Sequence, residues 1–159
     1  LPLLLLAEKA PSSVSPIYFK YLQERAEAME KDYRVLVFGK AGCAKCKVLN
    51  KRLDSLLAKD EWQDFEKVYC DIETEEGLVE FCQSECANPS RIPGLVVTKR
   101  NTGTGGYVRV RNLNPGDDKG VCKSSKLYTY VGLQTDYNSG GGVLTPKMLA
   151  SVLEEARLR

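Results

Sequence analysis

The chain has 159 residues, of which 43% are hydrophobic and 28% charged, proportions that fit one globular domain and argue against a disordered or fibrous class. Its six cysteines stand beside no histidine, which excludes Ser-His-Asp and Cys-His triads, histidine zinc sites and imidazole acid–base chemistry near neutral pH. A formal net charge of +2 gives no global case for a nucleic-acid partner.

Leu1 to Ala7 is a short leucine-rich run, too short to span a bilayer, which takes about 20 residues. It reads as an N-terminal strand or trimmed end, or as the tail of a signal-peptide apolar region; residues 1–14 are therefore set apart as an extension or strand. Nothing else in the chain resembles a membrane span. Ser15-Pro16 suits the cap and first turn of a helix in which Ile17, Tyr21, Leu22, Arg25 and Met29 recur at helical spacing. Tyr33 to Phe38 is a short apolar, β-branched run and predicts a buried strand. Gly39-Lys40-Ala41-Gly42 breaks it, and a second helix follows with Val48, Leu49, Leu53, Leu56 and Leu57 on one face. Phe65 to Ile72 predicts another strand. Thr74 is positioned to cap a third helix, with Glu75 and Glu76 favourable to its dipole and Asn88-Pro89-Ser90 as its stop.

Leu95 to Thr98 predicts a third strand, introduced by Arg91-Ile92-Pro93-Gly94. Residues 101–125 are rich in Gly, Asn and Lys and read as an insertion, with Tyr107, Val108 and Val110 as a short extra hairpin strand. Leu127 to Val131 predicts a fourth strand, and Thr145-Pro146 caps a last helix with Met148, Leu149, Val152, Leu153 and Ala156 as its apolar stripe. The order is that of an α/β domain over residues 15–159: a parallel βαβ unit first, then an antiparallel pair.

Charge is polarised along the chain. Residues 31–59 hold eight Lys/Arg against Asp32 and Asp54, a net of +6; residues 60–85 hold ten Asp/Glu against Lys67, a net of −9; residues 91–126 hold eight Lys/Arg against Asp117 and Asp118, again +6. Such blocks read as solvated faces of neighbouring elements.

Cys43-Ala44-Lys45-Cys46 falls where a strand ends and a helix begins. Unpaired amides and the helix dipole at that place stabilise a thiolate, and Lys40, Lys45 and Lys47 act in the same direction. Two intervening residues let the second sulfur reach the first, so Cys46 is placed to resolve a mixed disulfide formed at Cys43. Helix geometry predicts an exposed Cys43 and a shielded Cys46. The same motif also serves as half of a zinc or iron–sulfur site, but without histidine the other donors must be cysteines or carboxylates, and Cys82-x-x-x-Cys86 is not a usual knuckle.

These pieces resemble the thioredoxin/glutaredoxin superfamily from about Tyr33 to the C-terminus. They are the strand Val35-Leu36-Val37-Phe38 leading into the dithiol, the strand ending in Asp71, Ile92-Pro93 before an apolar strand, and Tyr130-Val131-Gly132 followed by the Thr145-Pro146 helix. The resemblance implies a central mixed sheet of four to five strands flanked by helices, with the insertion between the last two strands. It implies a thiol–disulfide oxidoreductase with Cys43 as nucleophile and Cys46 as resolving thiol. Pro93 should be cis beside the dithiol, and Ile92 should offer its backbone to substrate. Lys40 and Lys45 tune the thiol. No cofactor and no metal is called for. The implied partners are a disulfide-containing protein or low-molecular-weight thiol and an upstream reductase or oxidase. The compartment stays open between cytoplasmic and, if Leu1–Ala7 ends a signal peptide, periplasmic or secreted.

Departures from the pattern are also informative. Val37 stands where thioredoxins carry a buried Asp that accepts a proton from the second cysteine, and Lys67 matches the family's lysine beside that Asp only loosely. Cys70 and Cys82 read as buried small hydrophobes. Cys82 and Cys86, four apart on one helix, are poorly placed to bridge; Cys122 is free, bridged to Cys86 or a relay thiol. Gly103-Thr104-Gly105-Gly106 precedes no helix, which argues against phosphate binding. A cationic Lys45 inside the motif favours the reduced thiolate, so the couple should be more oxidising than a thioredoxin's. A potential measured against glutathione should lie above about −270 mV, and a value at or below it would contradict this reading.

Overall fold

A computed structural model describes residues 30–84, 92–112 and 143–159, together with the backbone of 129–131. The helix expected from Ser15 and the extension at 1–14 lie outside the described residues. Strand β1 (Tyr33–Gly39) is followed by helix α1 (Ala44–Leu57), a 3₁₀ turn (Asp60–Trp62) and strand β2 (Phe65–Asp71). Helix α2 (Glu75–Cys82), strands β3 (Gly94–Arg100), β4 (Tyr107–Arg109) and β5 (Thr129–Val131), and helix α3 (Pro146–Arg157) follow among the described residues. β1 pairs with β2 in parallel and with β3 antiparallel, while β4 and β5 are both antiparallel to β3. The sheet is mixed and carries helices on both faces: a thioredoxin-like fold.

β1 is the sheet's central strand, and its alternation divides the core. Tyr33, Val35 and Val37 project to the face covered by α1 and α3, where they meet Leu49, Leu53, Leu149 and Leu153. Leu36 and Phe38 project to the other face, where Phe81 of α2, Cys70 and Val96 form a smaller cluster. A strand buried on both sides has no polar alternation, which is why the run from Val35 to Phe38 reads as continuously apolar. Along α1, Leu49, Leu53 and Leu56 are buried as expected, whereas Val48 is 40% exposed and is not part of the core face. At 100° per residue, Val48 sits on the flank of the stripe through Leu49 and Leu53.

Side-chain bonds hold the helices to the sheet's ends. Arg52 of α1 donates to the carbonyls of Val143 and Leu144 just before α3. Arg157 at the end of α3 pairs with Asp64 at 2.6 Å and lies over the Trp62 ring. The alternating charge blocks meet as partners: Arg34 with Glu66, Lys67 with Asp54, and Arg109 with Glu80.

One expectation changes: α2 ends at Cys82 with Gln83 as its C-cap, earlier than the stop expected at Asn88-Pro89-Ser90. The short hairpin strand expected at Tyr107, Val108 and Val110 is β4, reached from β3 through a tight turn around Asn101. Val110 donates its N–H to Val97, and Thr129 pairs with Val96. Positions 110 and 129 thus stand opposite adjacent residues of β3. Residues 111–128 separate these two positions in sequence, and of them Arg111 and Asn112 are described.

Gly77 in the first turn of α2 is required by contact: a Cβ there would overlap the backbone carbonyl of Asp71. Gly77→Ala is expected to cost at least about 2 kcal/mol in urea unfolding through overpacking. Gly42→Ala, whose methyl meets nothing within 4 Å but whose φ is 75°, should cost about 1 kcal/mol.

Candidate active site: a disulfide at the start of α1

The chain leaves β1 at Gly39 and turns within four residues. Cys43 N–H donates to the Lys40 carbonyl at 3.4 Å, and Gly42 takes φ 75°. That positive φ at the third position is the type II geometry that glycine adopts without penalty. The turn delivers Cys43 as the N-cap of α1, with φ −76° and ψ 108°. Its sulfur accepts the N–H of Cys46 at 3.2 Å, and its carbonyl accepts the N–H of Lys47 at 3.1 Å.

A sulfur in this place occupies the position of a capping oxygen. It receives an amide that the first helical turn cannot satisfy internally, and it sits at the positive end of the helix dipole. No acidic residue lies in the first turn of α1. By contrast, α2 begins with Thr74 capping Gly77 N–H and with Glu75 and Glu76 in its first turn. One helix start is furnished for an anion, while the other carries its own.

Cys43 and Cys46 form a disulfide with their Cα atoms 5.2 Å apart, inside the range such a bridge spans without backbone movement. Cys43 is partly exposed, and Cys46 is 2% exposed. Asn50, one turn further along, donates its side-chain amide to the Cys46 carbonyl at 3.0 Å. A groove of about 330 Å³ opens beside Cys46, bordered by Lys40, Lys47, Asn50, Lys67 and Tyr69. Lys67 is held in it by Asp54 of α1 at 2.6 Å.

Of the other residues expected at the site, Lys45 is exposed on the first turn of α1 and does not border this groove. The Ile92–Pro93 peptide bond is cis, Pro93 is buried, and Ile92 packs against the core cluster under α2. Phe38 pairs with Gly94, so Pro93 lies at the same end of the sheet as the turn that carries the disulfide. Val37 is fully buried and paired with Tyr69 and Leu95. Sequence reasoning did not single out Tyr69, Asn50 or Gly39. Asn50 is detectable as the residue four after Cys46, one helical turn away. Tyr69 is detectable by strand parity, two residues after Lys67 on the same face of β2.

The remaining described cysteines separate by burial. Cys70 is buried among Phe38 and Phe81, as expected for a small hydrophobe. Cys82 is exposed, contrary to expectation, because α2 turns its Phe81 and Gly77 inward and leaves position 82 on the outer side. Cys86 and Cys122 lie outside the described residues. Among the described residues no group of three or more His, Cys, Asp or Glu side chains is gathered as a metal site would need, and no helix is long and apolar enough to cross a membrane.

No family model and no curated protein matches the sequence. Among solved structures, the chain is similar to mitochondrial thioredoxin 3 of Saccharomyces cerevisiae in its oxidized form. The identity is 22%, over 55% of this chain and 73% of that one, with a TM-score of 0.35. The thioredoxin-like fold stands on the strand order and pairing described above, and a Cys-x-x-Cys disulfide caps the helix that follows its central strand.

Burial pushes the Cys70 thiol up from 9.0, with Glu80 adding to the rise and Arg109 opposing it. The folded chain therefore keeps this proton at a pH where the unfolded chain has released it. The resulting stability is fully present below the unfolded thiol's range and declines as pH rises through and above it. Urea unfolding from about pH 8 to about pH 10 should show falling stability, with a shallower fall in Cys70→Ala. In the native reduced protein, iodoacetamide should label Cys82 and spare Cys70.

Proposed function

We propose that the protein is a thiol–disulfide oxidoreductase. In the dithiol form, the Cys43 thiolate attacks one sulfur of a substrate disulfide. The substrate S–S bond breaks, one substrate thiolate leaves and takes a proton from water, and Cys43 is joined to the other sulfur. Cys46 then loses its proton to solvent, and its thiolate attacks the Cys43 sulfur. The second substrate thiolate leaves, and the Cys43–Cys46 bond forms. The protein has lost two electrons and the substrate disulfide has gained them. An upstream dithiol reductase restores the reduced form; run in reverse, the same steps oxidise a substrate dithiol.

The observation that carries this reading is the unequal setting of two sulfurs in one bridge. The Cys43 sulfur is partly exposed and holds the capping N–H of Cys46 at 3.2 Å, while Cys46 is buried behind it. The exposed member is stabilised as thiolate and reachable by a substrate disulfide, and the buried one is shielded from it. Lys40 and Lys45, both exposed near the helix start, raise the local positive potential around Cys43. Pro93 and Ile92 at the same end of the sheet are suited to receive an extended substrate segment. The Ile92 backbone, immediately before the edge of β3, provides its hydrogen-bonding groups. Substrates of this chemistry are disulfide-containing proteins or low-molecular-weight disulfides.

The decisive experiment is trapping. Reduced Cys46→Ser protein incubated with a disulfide-containing protein should accumulate mixed disulfides at Cys43, resolved by reductant and located by peptide mass spectrometry. Cys43→Ser should trap at least about tenfold less, since its remaining thiol is buried. Equal trapping by the two variants, or none by either, would falsify the assignment.

A further inference from the structure

Resolution requires the buried Cys46 to shed its proton, and the fold supplies no carboxylate for that step at the expected place. Val37 fills the position with an apolar side chain, and among the described residues those bordering the groove beside Cys46 include no Asp or Glu. Gly39 indicates what stands there instead. A Cβ on Gly39 would lie 3.0 Å from the Tyr69 hydroxyl oxygen and 3.1 Å from the Cys46 sulfur. The two atoms therefore border one small space, which the glycine keeps open. Both lie within reach of the same point, so they are no more than about 6 Å apart, close enough to meet directly on a small rotation or through one water.

Tyr69 reaches this space because strand parity turns it, with Lys67, toward α1. The Val37–Tyr69 pairing brings the end of β2 alongside the end of β1. Burial, followed by the charges of Asp71 and Glu73, pushes the Tyr69 hydroxyl above 10.0, so it remains a protonated donor at neutral pH. The charged groups around it are Lys67 and Asp71 on β2, Glu73 beyond it, Lys40 on the turn and Lys47 on α1.

We propose that the Tyr69 hydroxyl is the hydrogen-bond donor that stabilises the Cys46 thiolate during resolution, with Gly39 keeping the space between them open. The proton leaves Cys46 for water in the groove. Tyr69 donates a hydrogen bond to the resulting thiolate without giving up its own proton, and Cys46 attacks the Cys43 sulfur as described above. A hydrogen bond to a charged acceptor is among the stronger ones. This inference rests on the thiol–disulfide reading.

Stopped-flow reaction of the reduced protein with the chromogenic disulfide DTNB tests it. One coloured thiolate is released when Cys43 attacks and a second when Cys46 resolves; the Cys43→Ser/Cys46→Ser double variant supplies the blank for the other thiols. Tyr69→Phe keeps the ring and removes only the hydroxyl. It should slow the second release about tenfold at neutral pH and raise its pH midpoint by about one unit, leaving the first release unchanged. An unchanged second phase and midpoint would overturn the proposal, as would equal slowing of both phases. If the parent protein itself gives no second release, the oxidoreductase reading fails and this inference falls with it.

Discussion

The hydrogen bond from the Cys46 amide to the Cys43 sulfur is the contact on which the redox end of the molecule is built. It makes Cys43 the cap of α1, and a cap fixes where a helix begins. Once the helix begins there, Cys46 falls at its third residue, on the side that faces the sheet, and becomes buried. The same bond explains why the residue before Cys43 must be permissive. The turn from β1 has to place the sulfur over the helix axis within four residues, and Gly42 at φ 75° supplies that reversal. The disulfide, the difference in exposure of its two ends and the start of α1 are thus one local geometry.

That geometry is held in place by β1. Because it is the middle strand, with β2 on one side and β3 on the other, its end is held from both edges. Gly39 and Asp71 end the parallel pair together, and Gly94 begins β3 opposite Phe38. The turn to the dithiol, the end of β2 with Tyr69 and the entry to β3 with Pro93 are therefore brought to one end of the sheet by register. The helices add stiffness from the two faces: Leu49 and Leu53 of α1 bury against Val35 and Val37, and Phe81 of α2 packs at 5.1 Å from Phe38.

Much of this was legible in the residues. Tyr33 to Phe38 and Leu95 to Thr98 are short β-branched runs bounded by glycine or proline, and Thr74 and Thr145 announce helix starts. Each of those signals is local and agrees with its neighbours. What resisted reading depended on relations across the fold. Cys82 follows Phe81, and only the phase with which α2 settles on Phe38 decides that position 81 is buried and position 82 exposed. Val48 is separated from the buried stripe of α1 by 100° of helix, a difference that apolarity alone does not reveal. The alignment of β4 with β5 is invisible because each is three residues long, and only their common partner β3 puts them in one line. Tyr69 escaped notice since its relation to Cys46 runs through Gly39, a residue whose importance is the volume it does not fill.

The charge pattern gains its meaning at the same end of the molecule. Read along the chain, the basic and acidic blocks alternate; in the fold several of their members pair across strands and between strand and helix. Arg34 meets Glu66, Lys67 meets Asp54, Arg109 meets Glu80, and Arg157 meets Asp64. Among the described residues, Lys40, Lys45 and Lys47 have no such ion-pair partner, and all three lie in or beside the first turn of α1. Exposed lysines act weakly one at a time, through solvent that screens them. Here they add to a helix dipole and a capping amide that point at the same sulfur, in a turn without a carboxylate. On the proposed reading, a chain with a net charge of only +2 presents its sulfur beside three lysines and a first helical turn that holds no acidic residue. On that reading, thiolate stabilisation at Cys43 needs neither an imidazole nor a large net charge; the helix start, its capping amide and the nearby lysines supply it.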